Sequence, residues 1–270
     1  MTDDDKRAKG NLPAVTGGRA IALPGQGKAK GKTSSFLARV RSGTAGPDPR
    51  LPVAAKAGSR QDLMAAAIRP SRPRLIFAID ATASREAAWA AASKTTDSLF
   101  AAVPGELDVA LAVHGGSAVH TFTDFTSNPA TLRDAAAGVT CQGGRTVLLE
   151  IMERARATPD LKVVVYIGDV FEESVPDGMA LADDLRLRGT RMIVLHDLDG
   201  GDDGFSAKAF ESIAKRTGGC VLPFDAASAT KLRELLEALA VLAVGGPKLL
   251  EARRKSLPGA TLLLGHLGSG

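Results

Sequence analysis

Five residues stand out as able to do chemistry together: Asp80, Thr82 and Ser84, spaced two apart, then Thr146 and Asp169. They offer two carboxylates and three hydroxyls, all hard oxygen donors. Such a set suits Mg²⁺ or Mn²⁺, Ca²⁺ less well and Zn²⁺ poorly. Alternate residues of a turn leaving a strand face the same way, so Asp80, Thr82 and Ser84 can address one point. Positions left on the ion would hold water, and a partner carboxylate could replace one water. Each residue also has an ordinary structural use: an aspartate at a strand end often caps a helix, and Ser84 stands just before Arg85-Glu86.

The surrounding elements must bring these residues together. Leu75-Ile76-Phe77-Ala78-Ile79-Asp80 is an apolar run ending in an acid, the pattern of a strand buried on both faces. A long helical stretch follows, with Trp89, Ala92, Thr96, Leu99, Phe100 and Val103 on one face. Asp108–His114 reads as a second strand, and Gly115-Gly116 turns it into a third, Ala118–Phe122. Asn128-Pro129 opens a helix to about Ala137. A loop containing Cys141, Gly143, Gly144, Arg145 and Thr146 precedes a helix with Val147, Leu148, Ile151, Met152 and Ala155 inward. Val163–Ile167 is the fourth strand, ending at Gly168-Asp169. Then come a helix near Met179–Arg188, a strand Met192–Leu195, a helix Ser206–Arg216 stopped by Gly218-Gly219, a strand Cys220–Phe224 and a leucine-rich helix ending at Gly245-Gly246.

This alternation predicts an α/β fold: a doubly wound, mostly parallel six-stranded sheet, one antiparallel edge strand, and helices on both faces. In such sheets ligands bind outside the carboxyl ends of the strands, at the switch point of the strand order. The loops carrying Asp80, Thr82, Ser84, Thr146 and Asp169 are expected to converge there.

The pattern resembles the von Willebrand factor A domain family and its metal-ion-dependent adhesion site. Asp80, Thr82 and Ser84 match that family's Asp-x-Ser-x-Ser motif. Thr146, in Gly143-Gly144-Arg145-Thr146, matches its loop threonine, and Asp169 the aspartate after the fourth strand. The run Ile213-Ala214-Lys215-Arg216-Thr217-Gly218-Gly219 is also similar to the family's later segment, and the resemblance covers roughly residues 73–244. It implies a binding module of the bacterial intracellular type, not an enzyme. Its bound cation would grip an acidic side chain on another protein, in multi-protein assemblies. Two departures occur. Thr82 replaces the usual serine and brings a methyl that needs room. Val170 stands where glycine is usual, with Glu172 and Glu173 nearby to tune metal affinity or repel an acidic partner.

The competing reading is a Mg²⁺-dependent phosphatase of the haloacid dehalogenase type. Asp80 would be its nucleophile, and Gly168-Asp169 with Glu172 and Glu173 its later acidic motif. That family wants Asp-x-Asp, whose second carboxylate is the general acid/base; Thr82 cannot replace it. A dinucleotide or P-loop site is excluded, because no G-x-G-x-x-G or Walker sequence occurs.

Composition bounds the rest. The chain has 270 residues and a net charge of +4. Residues 1–72 hold 14 basic and 5 acidic residues, so the remainder carries 20 and 25. Residues 1–72 are expected to form a disordered basic extension, capable of weak contact with nucleic acid or an acidic partner. Residues 73–246 would form the domain and 247–270 a C-terminal tail that can pack back on it. Two cysteines, Cys141 and Cys220, exclude a disulfide scaffold. No apolar run approaches the ~20 residues of a membrane span, and the first residues lack a secretory apolar segment, so a cytoplasmic location without membrane contact is expected.

Overall fold

The structure, a computed structural model, describes residues 71–82, 86–197, 204–224 and 229–267. Apart from Ser71 and Arg72, the expected basic extension lies outside the described residues, and so does Ser84.

The apolar run at the start of the described chain is strand β1, Arg74–Asp80, and everything from Leu75 to Asp80 is buried. Helices α1 (Glu86–Ser93) and α2 (Ser98–Ala101) lead to β2, Asp108–Gly115, and β3, Ala118–Phe122. Next come α3 (Pro129–Ala137), α4 (Leu148–Ala157), β4 (Leu161–Gly168), α5 (Val175–Leu187), β5 (Arg191–Asp197) and α6 (Phe205–Arg216). Strand β6 (Cys220–Phe224) and helices α7 (Ala229–Ala252) and α8 (Pro258–Leu267) complete the described fold.

The six strands form one sheet in the order β3-β2-β1-β4-β5-β6. All neighbours are parallel except β3, which runs antiparallel to β2 at one edge. The hairpin between them turns on Gly116 and Ser117, both with positive φ (56° and 70°), the geometry of a two-residue type I′ turn. Alternation of side chains divides the core. Leu75, Phe77 and Ile79 of β1 face a layer made by α1, α2, α3, α7 and α8, while Ile76 and Ala78 face α4, α5 and α6. This is the doubly wound sheet expected from the alternation of elements.

Strand β1 lies in the middle. From it the chain moves first to β2 on one side and later to β4 on the other, so the strand order reverses between β1 and β4. In sheets of this kind the point of reversal, at the carboxyl ends of the two strands, is where ligands bind.

Three elements differ from their sequence reading. The long first helix is broken at 94–97. The hydroxyls of Thr95 and Thr96 donate back to the carbonyls of Ala92 and Ser93 at 3.0 and 3.2 Å, and the backbone there closes i to i+3 bonds. Such back-bonding competes with a continuous α-helix. The expected apolar face survives, with Trp89, Ala92, Thr96, Leu99, Phe100 and Val103 all buried. Helix α5 starts at Val175, ahead of the expected Met179, because Ser174 caps it through Asp177 N–H and Pro176 fits its first turn. Past Gly246, whose φ of 67° kinks α7, the stretch 247–267 is largely helical, and Leu250, Leu257, Ala260 and Leu263 are buried.

Candidate functional site

The carboxyl ends of β1 and β4 carry the residues singled out above. Asp80 is the last residue of β1 and Asp169 immediately follows β4, its neighbour in the sheet. Both are buried, Asp80 at 0% exposure and Asp169 at 4%. Thr82 and Thr146 are almost as enclosed, at 7% and 4%. Asp80 Oδ1 accepts the Thr82 N–H at 3.0 Å, which turns the chain sharply as it leaves the strand. Asp169 Oδ1 accepts the N–H of Val170 at 2.8 Å.

The loop 140–147 is fastened to three other segments. Gln142 N–H donates to Ala81 O at 2.8 Å, beside the exit of β1. Arg145 N–H donates to Ser117 Oγ at 3.1 Å, on the β2–β3 hairpin. Thr146 N–H donates to the Glu172 carboxylate at 3.0 Å, while Thr146 Oγ1 accepts the Glu172 N–H at 3.2 Å, beyond the exit of β4. Gly144 sits against the hairpin so closely that a Cβ there would lie 2.2 Å from Gly116 Cα. Gly144 therefore serves close approach of two backbones, and the loop brings Thr146 to the same sheet edge as Asp80, Thr82 and Asp169. Ser84 lies outside the described residues.

Glu172 and Glu173 have structural work beside the role expected of them as modifiers of a metal. Glu172 clasps Thr146. Glu173 accepts the Leu149 N–H through both carboxylate oxygens at 3.2 and 3.1 Å, capping the first turn of α4. Burial pushes the Glu173 carboxyl above its ordinary range, against the backbone donors that favour its charged form.

His114 and Tyr166, which the sequence reading passed over, stand at this edge as well. His114, at the end of β2, is the register partner of Asp80 and is fully buried. Its Nε2 lies 3.1 Å from Tyr166 Oη, and its Nδ1 lies 3.9 Å from Asp80 Oδ1. The two rings stack at 5.7 Å with 7° between their planes. Burial, helped by His120, lowers the His114 pKa to about 4, so the ring is neutral at pH 7 and brings no positive charge to Asp80. The available signal was a histidine and the chain's one tyrosine inside otherwise apolar strands. His196, at the end of β5, is 2.9 Å from the Asp169 carbonyl through Nε2 and holds the β4 exit in place. Cys141 packs half-buried against the core.

Among the described residues, no three of His, Cys, Asp and Glu gather closely enough to hold a metal ion. A cation at this edge would therefore depend on hydroxyls as well as carboxylates, as the set Asp80, Thr82, Thr146 and Asp169 provides. Two buried carboxylates at neighbouring strand ends, one of them beside a neutral imidazole, fit a divalent cation with oxygen preference.

No family model and no curated protein matches the sequence. Solved structures do. A von Willebrand factor type A protein from Catenulispora acidiphila aligns over 63% of this chain at a TM-score of 0.51 and 17% identity. The fold is that of a von Willebrand factor A domain. The aligned part spans 43% of the Catenulispora chain, less than half of its length. Two further structures are similar at lower scores. Proximal thread matrix protein 1 of the mussel byssus shares 18% identity over 63% of this chain and 46% of its own, at a TM-score of 0.49. The vWF domain of the type V pili tip protein Mfa5 from Porphyromonas gingivalis shares 11% identity over 64% and 96%, also at 0.49. Among the described residues no helix is long and apolar enough to cross a membrane.

Proposed function

We propose that this chain is a vWA-type protein-interaction module that binds Mg²⁺ or Mn²⁺ through Asp80, Thr82, Ser84, Thr146 and Asp169. The observation that carries the reading is the enclosure of Asp80, Thr82, Thr146 and Asp169, from three separate segments, at the carboxyl edge where the strand order reverses. Two carboxylates match the +2 charge of the ion and the other three donors are neutral hydroxyls, so a coordination position left to water could be taken by a carboxylate from a partner protein. The chain's own part is to hold these donors in place: the Asp80–Thr82 turn, the Thr146–Glu172 clasp and the His196 contact to Asp169 each fix one segment. We further propose a cytoplasmic setting in a bacterial assembly, with the basic residues of 1–72 available for an acidic partner or nucleic acid. The phosphatase alternative gains no support: Thr82 is still the residue where a general acid/base is required, and the Catenulispora structure that shares this chain's fold is a von Willebrand factor type A protein.

The test is calorimetric titration of Mg²⁺ and Mn²⁺ into the full chain, with a pull-down run with and without chelator. One saturable site is expected, lost in Asp80→Ala, and partner capture that disappears with chelator. Equal metal affinity in Asp80→Ala would refute the assignment. Steady turnover of a phosphate ester that is lost in Asp80→Asn would favour the phosphatase.

A further inference from the structure

The face of the sheet that bears Asp80 is apolar except near its carboxyl edge. There a polar row runs across neighbouring strands: Asp80 on β1, His114 on β2 and Tyr166 on β4. The side chains of Asp80 and His114 are fully buried, and Tyr166 is at 0% exposure. A polar group buried at such depth persists when it has a partner, because an unmade hydrogen bond there costs its full desolvation. His114 meets this condition at one nitrogen only. Nε2 is engaged with Tyr166 Oη at 3.1 Å, whereas Nδ1 makes no hydrogen bond. The Asp80 carboxylate faces Nδ1, with Oδ1 at 3.9 Å. A shift of under an ångström would close that gap to a hydrogen bond.

The position of Tyr166 is itself built in. Its ring lies over the backbone of Gly168, where a Cβ would sit 2.5 Å from Cε1 and 2.7 Å from Oη. Only glycine leaves the ring room to lie along the strand toward the edge. The ring is held on its other sides by His114, stacked at 5.7 Å, and Phe210 at 5.8 Å. The chain thus spends a glycine, directly before Asp169, to set a tyrosine hydroxyl against His114.

We infer that His114 is a positioning residue for Asp80: the Tyr166 hydroxyl donates to Nε2, which leaves the proton on Nδ1, and the Nδ1–H joins the Thr82 N–H in fixing the orientation of the Asp80 carboxylate at the sheet edge. His196 takes the opposite tautomer, since its Nε2–H donates to the Asp169 carbonyl. Each carboxylate-bearing segment is then steadied by a buried histidine, one through the side chain and one through the backbone. The metal consequence of this inference rests on the reading of Asp80 as a cation ligand; the tautomer does not.

The test uses the full chain, ¹⁵N-labelled at its four histidines, with Mg²⁺ alone as the probe. In metal-free protein at neutral pH, the His114 signals, assigned by their loss in His114→Asn, should show a protonated Nδ1 and an unprotonated Nε2. Asp80→Asn should move the Nδ1 resonance. His114→Leu should weaken Mg²⁺ binding about tenfold or more, the usual effect of removing a group that orients a metal ligand. Tyr166→Phe, which removes only the hydroxyl and keeps the ring, should weaken it less. His114→Asn, whose amide can donate from near the place of Nδ1, should recover most of the affinity. If His114→Leu is folded by circular dichroism and binds Mg²⁺ like the parent while Asp80→Ala does not, His114 has no positioning role and the metal reading stands. If His114→Leu does not fold, Tyr166→Phe and the spectra decide. If the parent shows no saturable Mg²⁺ site, the metal reading fails. The positioning claim is then judged on the spectra: it falls if His114 carries its proton on Nε2 or if Asp80→Asn leaves Nδ1 unmoved.

Discussion

The contact of Gly168 with Tyr166 is a tight packing constraint at the site edge, and it can be tested by one methyl group. In Gly168→Ala the new Cβ would stand 2.5 Å from Tyr166 Cε1 and 2.7 Å from both Cζ and Oη. Ordinary carbon contacts are ~3.5–4.0 Å, so the overlap is about 1 Å. The ring has nowhere to retreat. It is fully buried, stacked on His114 and packed on Phe210, with its hydroxyl committed to His114 Nε2. Overpacking of a filled core costs about 1–3 kcal/mol. Losing the Tyr166–His114 hydrogen bond adds about 0.5–1.5 kcal/mol. A loss of about 2–4 kcal/mol is therefore expected, which lowers Tm by about 5–15 °C in a domain of this size. Urea unfolding followed by circular dichroism measures it, with Tyr166→Leu as the second arm of a cycle. In the Tyr166→Leu background, Gly168→Ala should cost under about 0.5 kcal/mol, giving a coupling of about 2–3 kcal/mol between the two positions. The reasoning is refuted if Gly168→Ala lies within about 0.5 kcal/mol of the parent, or if its cost is the same in both backgrounds.

Two further changes probe the supports of the site and the end of the fold. Glu173 caps α4 from a half-buried position, and burial raises its carboxyl pKa above the ordinary 4.5. A raised folded value means that its contribution to stability is complete below the unfolded pKa and declines as pH rises through the folded one. Glu173→Gln keeps an oxygen acceptor without the charge, so its stability relative to the parent should increase between acid and neutral pH; urea midpoints that differ by the same amount at both ends would contradict this. Leu263 of α8 is fully buried, so Leu263→Ala should cost about 2–5 kcal/mol in chemical denaturation, whereas a loosely attached tail would show no change.

Much of the fold was legible because its signals are local. Buried parallel strands read as apolar runs, and β1, β4 and β5 each showed one. Asn128-Pro129 opened α3 as expected, with Asn128 Oδ1 accepting the Ala130 N–H at 3.0 Å. The break between α1 and α2 was less legible, because the apolar spacing continues across it while the threonine hydroxyls bond to the backbone. The helical content of 247–267 was hidden by Gly245, Gly246 and Pro247, which read as a stop but act as a kink.

The site divides along the same line. Asp80, Thr82, Thr146 and Asp169 could be picked out as donors at element ends from the sequence alone, since position at the end of an apolar run is a local property. Donor chemistry and strand alternation follow from residue type and spacing. What tertiary structure alone decided is who stands beside whom. His114 is 34 residues from Asp80 and Tyr166 is 52 from His114, yet the sheet register pairs His114 with Asp80 and brings the Tyr166 hydroxyl within 3.1 Å of His114 Nε2. Glu172 and Glu173 looked like free acids near a metal until the loop contacts assigned them to Thr146 N–H and the first turn of α4. Gly168 looked like a strand terminator and proved to be the space for a tyrosine ring. Periodicity within one element reports which face is buried, but the partner across that face is set by strand order and register, which arise only when the elements pack.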